Sequence, residues 1–574
     1  MATVAEQLVA TLKANGITRV YGIPGDSLNG FTDALRVDGT IQWVHVRHEE
    51  SAAFAAAADA AVTGELAVVA GSCGPGNLHL INGLYDAQRS RVPVLAIAAH
   101  IPTTEIGSNY FQETHPQELF TECSAYSEYV AQAAQMPRIL DIAMRTAIEE
   151  RGVGAIVIPG DVALAEAVHT RVSVINRTDP VVVPSEAELD RAADLLNTAR
   201  KVTILAGAGV QGSHDELLAI ADRLAAPVVH ALRGKEFIEY DNPYDVGMTG
   251  LLGFASGYRA MDAADAVLML GTDFPYQQFF PEDATTIQVD IRGSQLGRRH
   301  PLDLGLVGDA GATVGALLPR LTRKRKRSHL EDARKHYART RERLDELAVP
   351  SRRHQPIHPQ YLARLVDEAA SGDAVFTADV GSPVVWAARY LTMNGRRRLV
   401  GSFSHGSMAN ALMHGIGAQV ACPDRQVVAL AGDGGLAMML GELITLTQNG
   451  LPVKTIVFNN SSLNFVELEM KAAGLVNYAT DLANPNFADV AAALGIHGRR
   501  VERSADLPDA VGEVLAHDGP ALLDVVTERQ ELSMPPSVTA DQVKGFTLYA
   551  IRTVMSGRGD ELLDLARVNW RQLF

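Results

Sequence analysis

Short apolar runs alternate with amphipathic helical patterns through most of this chain. The runs are apolar at successive positions, and most of them end at or beside Gly, Asp or Asn. Strands buried on both faces of a parallel sheet have this pattern, with ligand-binding groups at their carboxyl ends. The pattern therefore predicts an α/β protein with several doubly wound parallel sheets. The predicted strands include residues 65–72, 92–100, 154–160, 201–209, 225–232, 266–273, 286–291, 374–381, 426–435 and 453–460.

Three changes in composition divide the chain into candidate domains. They are a stretch that ends in a Ser-x-x-Glu helix start (170–188), a basic run (322–329) and a proline-containing stretch after the last core strand (531–542). The basic run is expected to be a solvated linker rather than a nucleic-acid or lipid patch, because a charged helix follows it. The predicted units are 1–180, 181–330, a linker at 331–355, 356–530 and a C-terminal segment at 531–574.

The composition narrows the class of protein. A chain of 574 residues is too long for one hydrophobic core, and 47% apolar with 21% charged residues is typical of a soluble globular protein. The net charge of -16 disfavours binding to phosphate backbones, so no nucleic-acid partner is expected. Three cysteines without a CxxC pair favour a reducing, cytosolic setting. We expect no signal peptide, because the N-terminus has an amphipathic helical pattern without a signal peptide's apolar run and cleavage site. We expect no membrane-spanning segment, because no uncharged apolar run reaches 18 residues.

The strongest chemical signal is the pair of motifs GDGG at 432–435 and NN at 459–460. The first motif lies between a predicted strand and a helix, and the second ends the next predicted strand. Glycines let the backbone approach a diphosphate, and the N–H groups of a helix start can bind its oxygens. Asp433 and the side chain of Asn460 are hard oxygen ligands suited to Mg²⁺. A plain Gly-Asp-Gly turn is the alternative for the first motif alone, and the pairing disfavours it.

The paired motifs resemble the thiamine-diphosphate (ThDP) motif of the ThDP-dependent decarboxylases, oxidases and acetolactate synthases. The resemblance implies that Asp433 and Asn460 bind Mg²⁺ together with the backbone oxygen of Ser462. It implies a pyrimidine-binding domain at 1–180 and a diphosphate-binding domain at 356–530. The residues implied at the diphosphate end of the cofactor are Asp433, Gly434, Gly435, Asn460, Ser461, Ser462, Leu463, Asn464, Phe465 and Val466.

A carboxylate pair, Glu49 and Glu50, follows His48 at a strand-to-helix junction. A carboxylate there can simply be a favourable helix-start charge, and Glu50 fits that role. ThDP needs a largely buried carboxylic acid that protonates N1′ of its aminopyrimidine ring, and this family places that glutamate in an HE context. The resemblance therefore assigns Glu49. In the family the two cofactor-binding domains of one site come from different subunits, which implies an obligate dimer or tetramer.

Gly406, Ser407 and Met408 precede the strand that leads into GDGG. A methionine in such a place is most often part of a core. The resemblance implies another role, in which Met408 wedges between the two cofactor rings and bends the cofactor into a V. The carbonyl of Gly406 would then accept a hydrogen bond from the aminopyrimidine N4′.

The middle unit contains GxGxxG at 207–212, which alone is a weak dinucleotide signal. A vestigial domain that only holds subunits together is the alternative. Segments along the whole chain resemble the FAD-dependent, peripheral-membrane pyruvate:quinone oxidoreductases of bacteria: 65–86, 92–102, 110–120, 228–236, 239–254, 271–276, 386–399 and 556–570. That resemblance implies FAD in the middle unit. The implied contacts are Gly207, Gly209, Arg233, Thr249, Gly250, Leu251, Leu252, Thr272, Asp273, Phe274, Pro275, Tyr276, Asp290 and Asp309.

The resemblance implies a substrate pocket formed by Phe111, Gln112, Val380, Phe465 and Glu469. A small apolar pocket suits the methyl group of pyruvate. Plain decarboxylases carry twin histidines near this place, whereas only His115 occurs here, which disfavours simple aldehyde release. Phe465 and Glu469 lie one helical turn apart and can share a face, although core packing explains Phe465 equally well.

The C-terminal residues 559–574 read as a short amphipathic helix, with Leu563, Ala566, Trp570 and Leu573 on one face. An ordinary docking helix has the same pattern. In the resembled family this segment covers the active site at rest and, when released, binds lipid reversibly and exposes an entry for membrane quinone. We therefore expect a cytoplasmic homo-oligomer, a dimer of dimers, that associates peripherally with the inner face of the membrane.

The resemblance implies oxidative decarboxylation of pyruvate to acetate and CO₂, with electrons passed through FAD to a membrane quinone. An acetolactate synthase and an oxygen-using, phosphate-dependent pyruvate oxidase are the enzymatic alternatives. A catalytically silent cofactor-binding or membrane-associated regulatory protein is the alternative outside enzymes. The combination of Glu49, Asp433 and Asn460 disfavours that last class.

Overall fold

The computed structural model of the protein describes residues 2–168, 172–178, 180–351 and 355–529, together with Glu531, Leu548, Tyr549 and Leu565. These residues form three six-stranded sheets in which every strand pair is parallel, each flanked by helices. The fold class predicted from the sequence, three doubly wound α/β domains, is confirmed. The helix predicted at 559–574 falls, apart from Leu565, outside the described residues.

The first sheet lies in the N-terminal domain. Its strands are β1 (Arg19–Gly22), β2 (Gln42–His45), β3 (Ala67–Gly71), β4 (Val94–His100), β5 (Tyr126–Tyr129) and β6 (Val153–Pro159). Its helices are α1 (Val4–Ala14), α2 (Asn29–Asp38), α3 (Glu49–Thr63), α4 (Pro75–Ser90), α5 (Pro116–Leu119), α6 (Met136–Glu149) and α7 (Gly160–Leu164). The strand order is β2-β1-β3-β4-β6-β5. Every residue of β4 is buried, which explains why its sequence is a continuous apolar run.

The second sheet forms the middle domain, with the strand order β12-β11-β10-β7-β8-β9. Its strands are β7 (Val202–Ala206), β8 (Val228–His230), β9 (Asp245–Met248), β10 (Ala266–Leu270), β11 (Thr285–Asp290) and β12 (Leu304–Val307). Its helices are α8 (Glu186–Thr198), α9 (His214–Leu224), α10 (Lys235–Ile238), α11 (Ala255–Asp262) and α12 (Ala310–Leu317). Helix α8 begins at a capping box between Ser185 and Glu188, which confirms the predicted Ser-x-x-Glu helix start. Helix α13 (Ser328–Leu347) packs on α11 and leads to the third domain.

The third sheet has the strand order β14-β13-β15-β16-β18-β17. Its strands are β13 (Val375–Ala378), β14 (Arg398–Val400), β15 (Val427–Gly432), β16 (Lys454–Asn459), β17 (His497–Val501) and β18 (Ala521–Val526). Its helices are α14 (Pro359–Ala369), α15 (Ser382–Tyr390), α16 (Asn410–Ala421), α17 (Asp433–Met438), α18 (Leu443–Asn449), α19 (Asn464–Ala472), α20 (Phe487–Ala493) and α21 (Leu507–Ala516). Strands β15 and β16 are neighbours, so the GDGG and NN motifs end adjacent strands.

The sequence pattern predicts a single helix after GDGG, and this prediction is wrong because the helix is interrupted. A 3-10 turn at Leu440–Glu442 separates α17 from α18. The turn directs the buried Glu442 carboxylate at the N-terminal domain, where Oε1 accepts a hydrogen bond from the Arg47 N–H at 3.0 Å. A contact between domains therefore overrides the local helical pattern.

The N-terminal and third domains pack closely through α3 and α16. A side chain at Gly417 in α16 would collide with the Ala55 carbonyl, so glycine permits the close approach of these helices. Asp86 of α4 and His414 of α16 form a buried pair, with Oδ2 and Nε2 3.0 Å apart. Among the residues that the structure describes, no helix has both the length and the apolar composition needed to cross a bilayer.

Candidate active site

Asp433 lies at the junction between β15 and α17, with only 3% of its surface exposed. Its Oδ2 accepts hydrogen bonds from the backbone N–H groups of Ser461 (2.6 Å) and Asn460 (3.1 Å), which follow β16. Its Oδ1 accepts one from the Gly434 N–H at 2.8 Å. Burial raises the pKa of Asp433, and these hydrogen bonds oppose the rise. The neighbouring strand ends therefore bring the two motifs together.

The oxygen atoms gathered around Asp433 fit a Mg²⁺ ion that also binds a diphosphate. The carboxylate, the Asn460 amide oxygen and the backbone carbonyl of Ser462 are donors of the type that Mg²⁺ prefers. Ser462 is buried and held in place, because its N–H donates to Asn460 Oδ1 (3.0 Å) and its hydroxyl donates to Glu467 Oε2 (2.6 Å). The three residues predicted as metal ligands are thus close together in the structure.

Of the other residues predicted around the diphosphate, Gly434 and Gly435 lie in the first turn of α17. The rest lie on the loop before α19 and on its first turn. Leu463 is half-buried, and a Cβ placed on Gly434 would lie 2.8 Å from Leu463 Cδ2. Asn464 is buried and donates to the Arg529 carbonyl at 2.7 Å. Val466, in contrast, is exposed at the surface of the chain.

Two residues that support this site were not predicted from the sequence. Asn484 Nδ2 donates to Asp433 Oδ2 at 2.8 Å and to Asn459 Oδ1 at 2.9 Å, and so ties both motifs together. Asn484 lies outside both motifs in the sequence, so the spacing between the motifs does not point to it. Asp379 follows β13 and accepts hydrogen bonds from the N–H groups of Gly432 (3.1 Å) and Ala411 (2.8 Å). Burial raises the pKa of Asp379 to about 6. Its position directly after a strand is the sequence feature that could have identified it as a site residue.

Glu49 is the first residue of α3 and is 8% exposed, as a carboxyl that protonates the cofactor requires. Its Oε2 lies 2.9 Å from His79 Nδ1 on α4. The His79 ring stacks on His48, with ring centroids 4.2 Å apart. Burial, with a smaller contribution from His79, lowers the pKa of His48, which favours its neutral form. Glu50 instead accepts a hydrogen bond from Asn82 Nδ2 at 2.8 Å.

His79 was not singled out by the sequence reasoning, although it lies in a segment matched to the oxidoreductases. Glu49, His48 and His79 place their ligand atoms within 4.8 Å of one another. The histidine lies one turn into α4 and reaches Glu49 only because α3 and α4 pack side by side. The contact depends on packing between helices, and no sequence spacing encodes it.

Met408 lies beside the GDGG motif, where its Cε is 3.5 Å from the position of a Cβ on Gly434. Gly406 has a left-handed backbone with φ of 87°, which glycine adopts without strain. Within the part of the chain that the structure describes, no neighbouring atom lies within 4 Å of a Cβ built on Gly406. The loop therefore positions Met408 next to the predicted diphosphate site and leaves the Gly406 position open.

Gln112 packs on the loop that connects β3 to α4. Gln112 has a left-handed backbone (φ 62°), and a Cβ built on Gly74 would lie 2.8 Å from the Gln112 Cβ. The Cys73 thiol donates to Gln112 Oε1 at 3.2 Å. On the other side of this loop, a Cβ on Gly76 would lie 3.2 Å from Glu49 Oε1. The loop thus brings Gln112 near the carboxyl of Glu49.

The remaining residues of the predicted substrate pocket differ in their exposure. Phe111 is 76% exposed. Phe465 is half-buried against the core of the third domain, which agrees with the packing role, and Glu469 is exposed one turn further along α19. Val380 is half-buried next to Asp379 at the end of β13.

In the middle domain, Gly207 and Gly209 follow β7 and pack tightly against the residues after β10. A Cβ on Gly209 would lie 2.6 Å from the Gly271 Cα, and one on Gly207 would lie 2.6 Å from the Thr272 Cβ. Packing between strand ends therefore explains why these positions are glycine.

Other polar groups at the same sheet edge suit an extended polar ligand. Thr249 is buried, and its Oγ1 has no hydrogen-bond partner among the residues that the structure describes. Asp290 is buried, and burial raises its pKa. Arg233 reaches both other domains, because it donates to the Ser90 carbonyl (2.6 Å) and the Ser404 hydroxyl (3.3 Å). Thr249, Asp290 and Arg233 lie at or just after the ends of β9, β11 and β8, so polar groups from several strands lie along one edge of the middle sheet.

Several residues predicted to contact FAD have structural partners of their own. Asp273 pairs with Arg91 of the N-terminal domain at 3.2 Å. Phe274 is buried in an aromatic cluster of the middle domain, and Asp309 caps α12 by accepting from the Ala312 N–H at 2.8 Å. The others lie in loops at the same edge, and they are Gly250, Leu251, Leu252, Thr272, Pro275 and Tyr276.

Comparisons with known proteins match each of the three domains. The models of the thiamine pyrophosphate enzymes match residues 2–119 (N-terminal TPP binding domain), 189–317 (central domain) and 379–525 (C-terminal TPP binding domain). The chain is 34% identical to a putative thiamine pyrophosphate-containing protein, YdaP, of Bacillus subtilis, over 98% of both chains. It is 30% identical to a pyruvate oxidase of Lactiplantibacillus plantarum, over 90% of this chain and 87% of the other. It is 31% identical to the large subunit of acetolactate synthase isozyme 2 of Escherichia coli, over 92% and 96%.

Proposed function

The chain belongs to the thiamine pyrophosphate enzyme family, and on that premise we propose that it oxidatively decarboxylates pyruvate to acetate and CO₂ and passes the electrons through FAD to a membrane quinone. The observation that carries the proposal is the joint presence of a buried carboxyl at Glu49 and an oxygen-ligand set at Asp433, Asn460 and Ser462. Likeness to a pyruvate oxidase supports the oxidase branch.

When bound, ThDP supplies the carbon nucleophile and the electron sink that decarboxylation of a 2-oxo acid requires. Asp433, Asn460 and Ser462 would hold Mg²⁺ and thereby the diphosphate. Glu49 would hold a proton at one carboxyl oxygen and share it with N1′ of the aminopyrimidine ring, while His79 fixes the other oxygen through the 2.9 Å contact. The burial of Glu49 excludes water from this proton.

The substrate side of the site would be shaped by side chains of two domains. Gln112 presents an amide whose position is fixed by Gly74 and Cys73. Val380 and Phe465 offer apolar surface to the methyl group of pyruvate. In a hydrophobic pocket, each additional methylene of the substrate changes the discrimination by only about 1–3 kcal/mol. The pocket would therefore prefer pyruvate without excluding longer 2-oxo acids.

Thr249, Arg233 and Asp290 would contact FAD along the carboxyl edge of the middle sheet, and a flavin held there would supply a two-electron acceptor. The orphaned hydroxyl of Thr249 supports this part of the proposal. The likeness to both a pyruvate oxidase and an acetolactate synthase is compatible with it.

A second copy of the chain would complete the site. Phe111 and Tyr478 are 76% and 83% exposed, and Met438 and Leu475 are also exposed around the third-domain site. Large apolar side chains that are left uncovered in one subunit often become buried in an oligomer interface. These exposures support a homodimer, and we extend the proposal to a dimer of dimers.

The C-terminal segment is proposed to cover the site at rest and to bind a lipid bilayer when released. Tyr549 and Leu565 pack against Leu468 of α19, and Lys471 Nζ lies 5.4 Å from the centre of the Tyr549 ring. These contacts involve the helix that carries Phe465, which supports a link between the segment and the substrate pocket. The enzyme would then be cytoplasmic and peripheral at the inner face of the membrane.

Product analysis under anaerobic conditions tests the proposal. We expect pyruvate, ThDP, Mg²⁺ and a ubiquinone analogue to give acetate and reduced quinone in equal amounts. Acetolactate without quinone reduction would favour the synthase, which the 31% identity to such an enzyme supports as a second candidate. Turnover that requires oxygen and phosphate and yields acetyl phosphate would favour the oxygen-dependent oxidase. Removal of residues 532–574 should abolish binding to vesicles.

A further inference from the structure

Asn82 of α4 connects the N-terminal domain to the loop that carries Met408. Its Nδ2 donates to Glu50 Oε1 at 2.8 Å and to the Ser407 hydroxyl at 3.2 Å. Its Oδ1 lies 2.7 Å from His405 Nε2. Both ends of the amide are therefore used, and two of its three partners belong to the loop at 404–408.

The hydrogen bonds continue from Asn82 toward the predicted cofactor contacts. The Ser407 hydroxyl, which accepts from Asn82, donates to the carbonyl of Met408 at 3.0 Å. The Ser407 N–H donates to the Ser402 hydroxyl at 3.1 Å, and the Gly406 N–H donates to the Ser402 carbonyl at 2.6 Å. The turn that contains Gly406 and Met408 is thus held from one side by its own backbone and from the other by Asn82.

The partner of Asn82 on α3 lies next to the proposed activating carboxyl. Glu50 follows Glu49, whose own oxygen contacts His79 on the same helix as Asn82. His79 and Asn82 are one turn apart on α4 and face the same side. One helix face therefore contacts both the glutamate pair and the loop that bears Met408.

We propose that Asn82 is a positioning residue for ThDP, which fixes the loop at 404–408 so that the Gly406 carbonyl and the Met408 side chain meet the cofactor in the required geometry. Asn82 itself need not touch the cofactor. The inference rests on the ThDP site proposed above, and it assigns to α4 the task of holding that loop in place against the N-terminal domain of the same chain.

A purely structural bond between domains would give a different result from this role. Other contacts already join the two domains, including the Asp86–His414 pair and the bond between Arg47 and Glu442. Loss of Asn82 should therefore leave the domains docked and alter the loop. The expected signature is weaker binding of ThDP with little change in thermal unfolding.

The test measures the dissociation constant of ThDP at saturating Mg²⁺ by calorimetry, on the full-length chain freed of cofactor. We expect Asn82→Ala to bind ThDP roughly tenfold more weakly, because hydrogen bonds to a charged group and to a hydroxyl are lost together. Tyr85→Phe is the matched control. It lies on the same helix and loses a 2.6 Å bond to Glu122, while its ring still stacks on His405. Its affinity should stay within twofold of the wild type.

A paired exchange tests the same contact by another route. Asn82→Asp places a second carboxylate against Glu50 and should weaken ThDP binding further than Asn82→Ala, because the two like charges repel each other. Adding Glu50→Gln supplies an amide donor to the new carboxylate. The double variant should therefore regain most of the affinity that Asn82→Asp loses.

Two results would overturn the inference: Asn82→Ala binding ThDP within twofold of the wild type, or a Tyr85→Phe control weakened to the same extent. If Asn82→Ala does not fold, absence of rescue in the paired exchange contradicts it instead. A wild-type chain that binds no ThDP would contradict the proposed function itself, and the inference would fall with it.

Discussion

Glu49 Oε2 and His79 Nδ1 lie 2.9 Å apart at the contact between α3 and α4. The contact leaves the second carboxyl oxygen of Glu49 near the Gly76 backbone, where glycine keeps space open. A carboxyl that is buried, fixed at one oxygen and open at the other suits the exchange of a proton with a bound pyrimidine ring. The proposed mechanism depends on this arrangement.

Replacing the carboxyl of Glu49 should abolish most of the activity. Glu49→Gln keeps the size of the side chain but cannot transfer a proton in the same way. We expect CO₂ release from pyruvate to slow by about 100-fold or more. The Mg²⁺ ligands lie in another domain, so ThDP should still bind. CO₂ release at the wild-type rate would show that Glu49 is a helix-start charge only.

Removing the partner of Glu49 should have a smaller effect. His79→Ala leaves one carboxyl oxygen without its hydrogen bond, and we expect CO₂ release to slow by about tenfold or more. His497→Ala is the matched control, because His497 also lies 2.9 Å from a glutamate, Glu513, but at the distant β17 edge. Equal losses in both variants would contradict a specific role for His79.

The affinity for Mg²⁺ should depend on a residue that does not itself bind the ion. Asn484→Ala removes the two hydrogen bonds that orient Asp433 and Asn459. Partners of metal ligands typically contribute about 10–100-fold to affinity, so a loss of that size is expected in Mg²⁺ titrations with ThDP present. Asn486→Ala serves as the control, because Asn486 caps α20 instead. An unchanged Mg²⁺ affinity in Asn484→Ala would contradict the assigned site.

The stability of the folded chain should fall between pH 6.5 and 8 because of one buried carboxyl in the middle domain. Burial raises the pKa of Asp245 to about 7, so the folded state holds a proton that the unfolded chain has already released. Stability is therefore lost as the pH rises through 7. Burial lowers the pKa of neighbouring His230 to about 4. This histidine makes stability rise with pH, but only below its ordinary pKa near 6.5, so it does not affect the window considered.

Asp245→Asn removes this titration and can still accept the hydrogen bond from the Gly247 N–H. The other groups that face Asp245 are Tyr337, Lys235 and Glu239, and they remain in the variant. The wild type should lose about 1 kcal/mol more than the variant over this pH window in urea unfolding. Parallel losses in both proteins would show that Asp245 is not the group responsible.

The fold was accessible from the sequence because each buried parallel strand leaves a continuous apolar run, as β4 and β15 show. The closeness of Asp433 and Asn460 was accessible too, because the two residues directly follow adjacent strands. His79, Asn484 and the helix break at Glu442 were not. Each depends on contacts between elements that are distant in sequence, and local patterns do not encode such contacts.

Contacts between distant elements also give several of the predicted FAD contacts a structural explanation. Gly207 and Gly209 match a dinucleotide motif, yet the close approach of Gly271 and Thr272 accounts for both glycines. Phe274 and Asp309 likewise have partners within the middle domain. A sequence motif shows that a position needs a small or polar residue. It does not show whether a ligand or a neighbouring part of the protein is the reason.

Anaerobic flavin reduction tests the central claim most directly. The purified protein is mixed with ThDP, Mg²⁺ and pyruvate without oxygen, and flavin absorbance is followed before and after addition of a ubiquinone analogue and lipid vesicles. The proposal predicts that pyruvate bleaches the flavin, and that quinone restores its colour, faster when vesicles are present. A flavin that stays oxidised while acetolactate accumulates would contradict the proposal and identify a synthase.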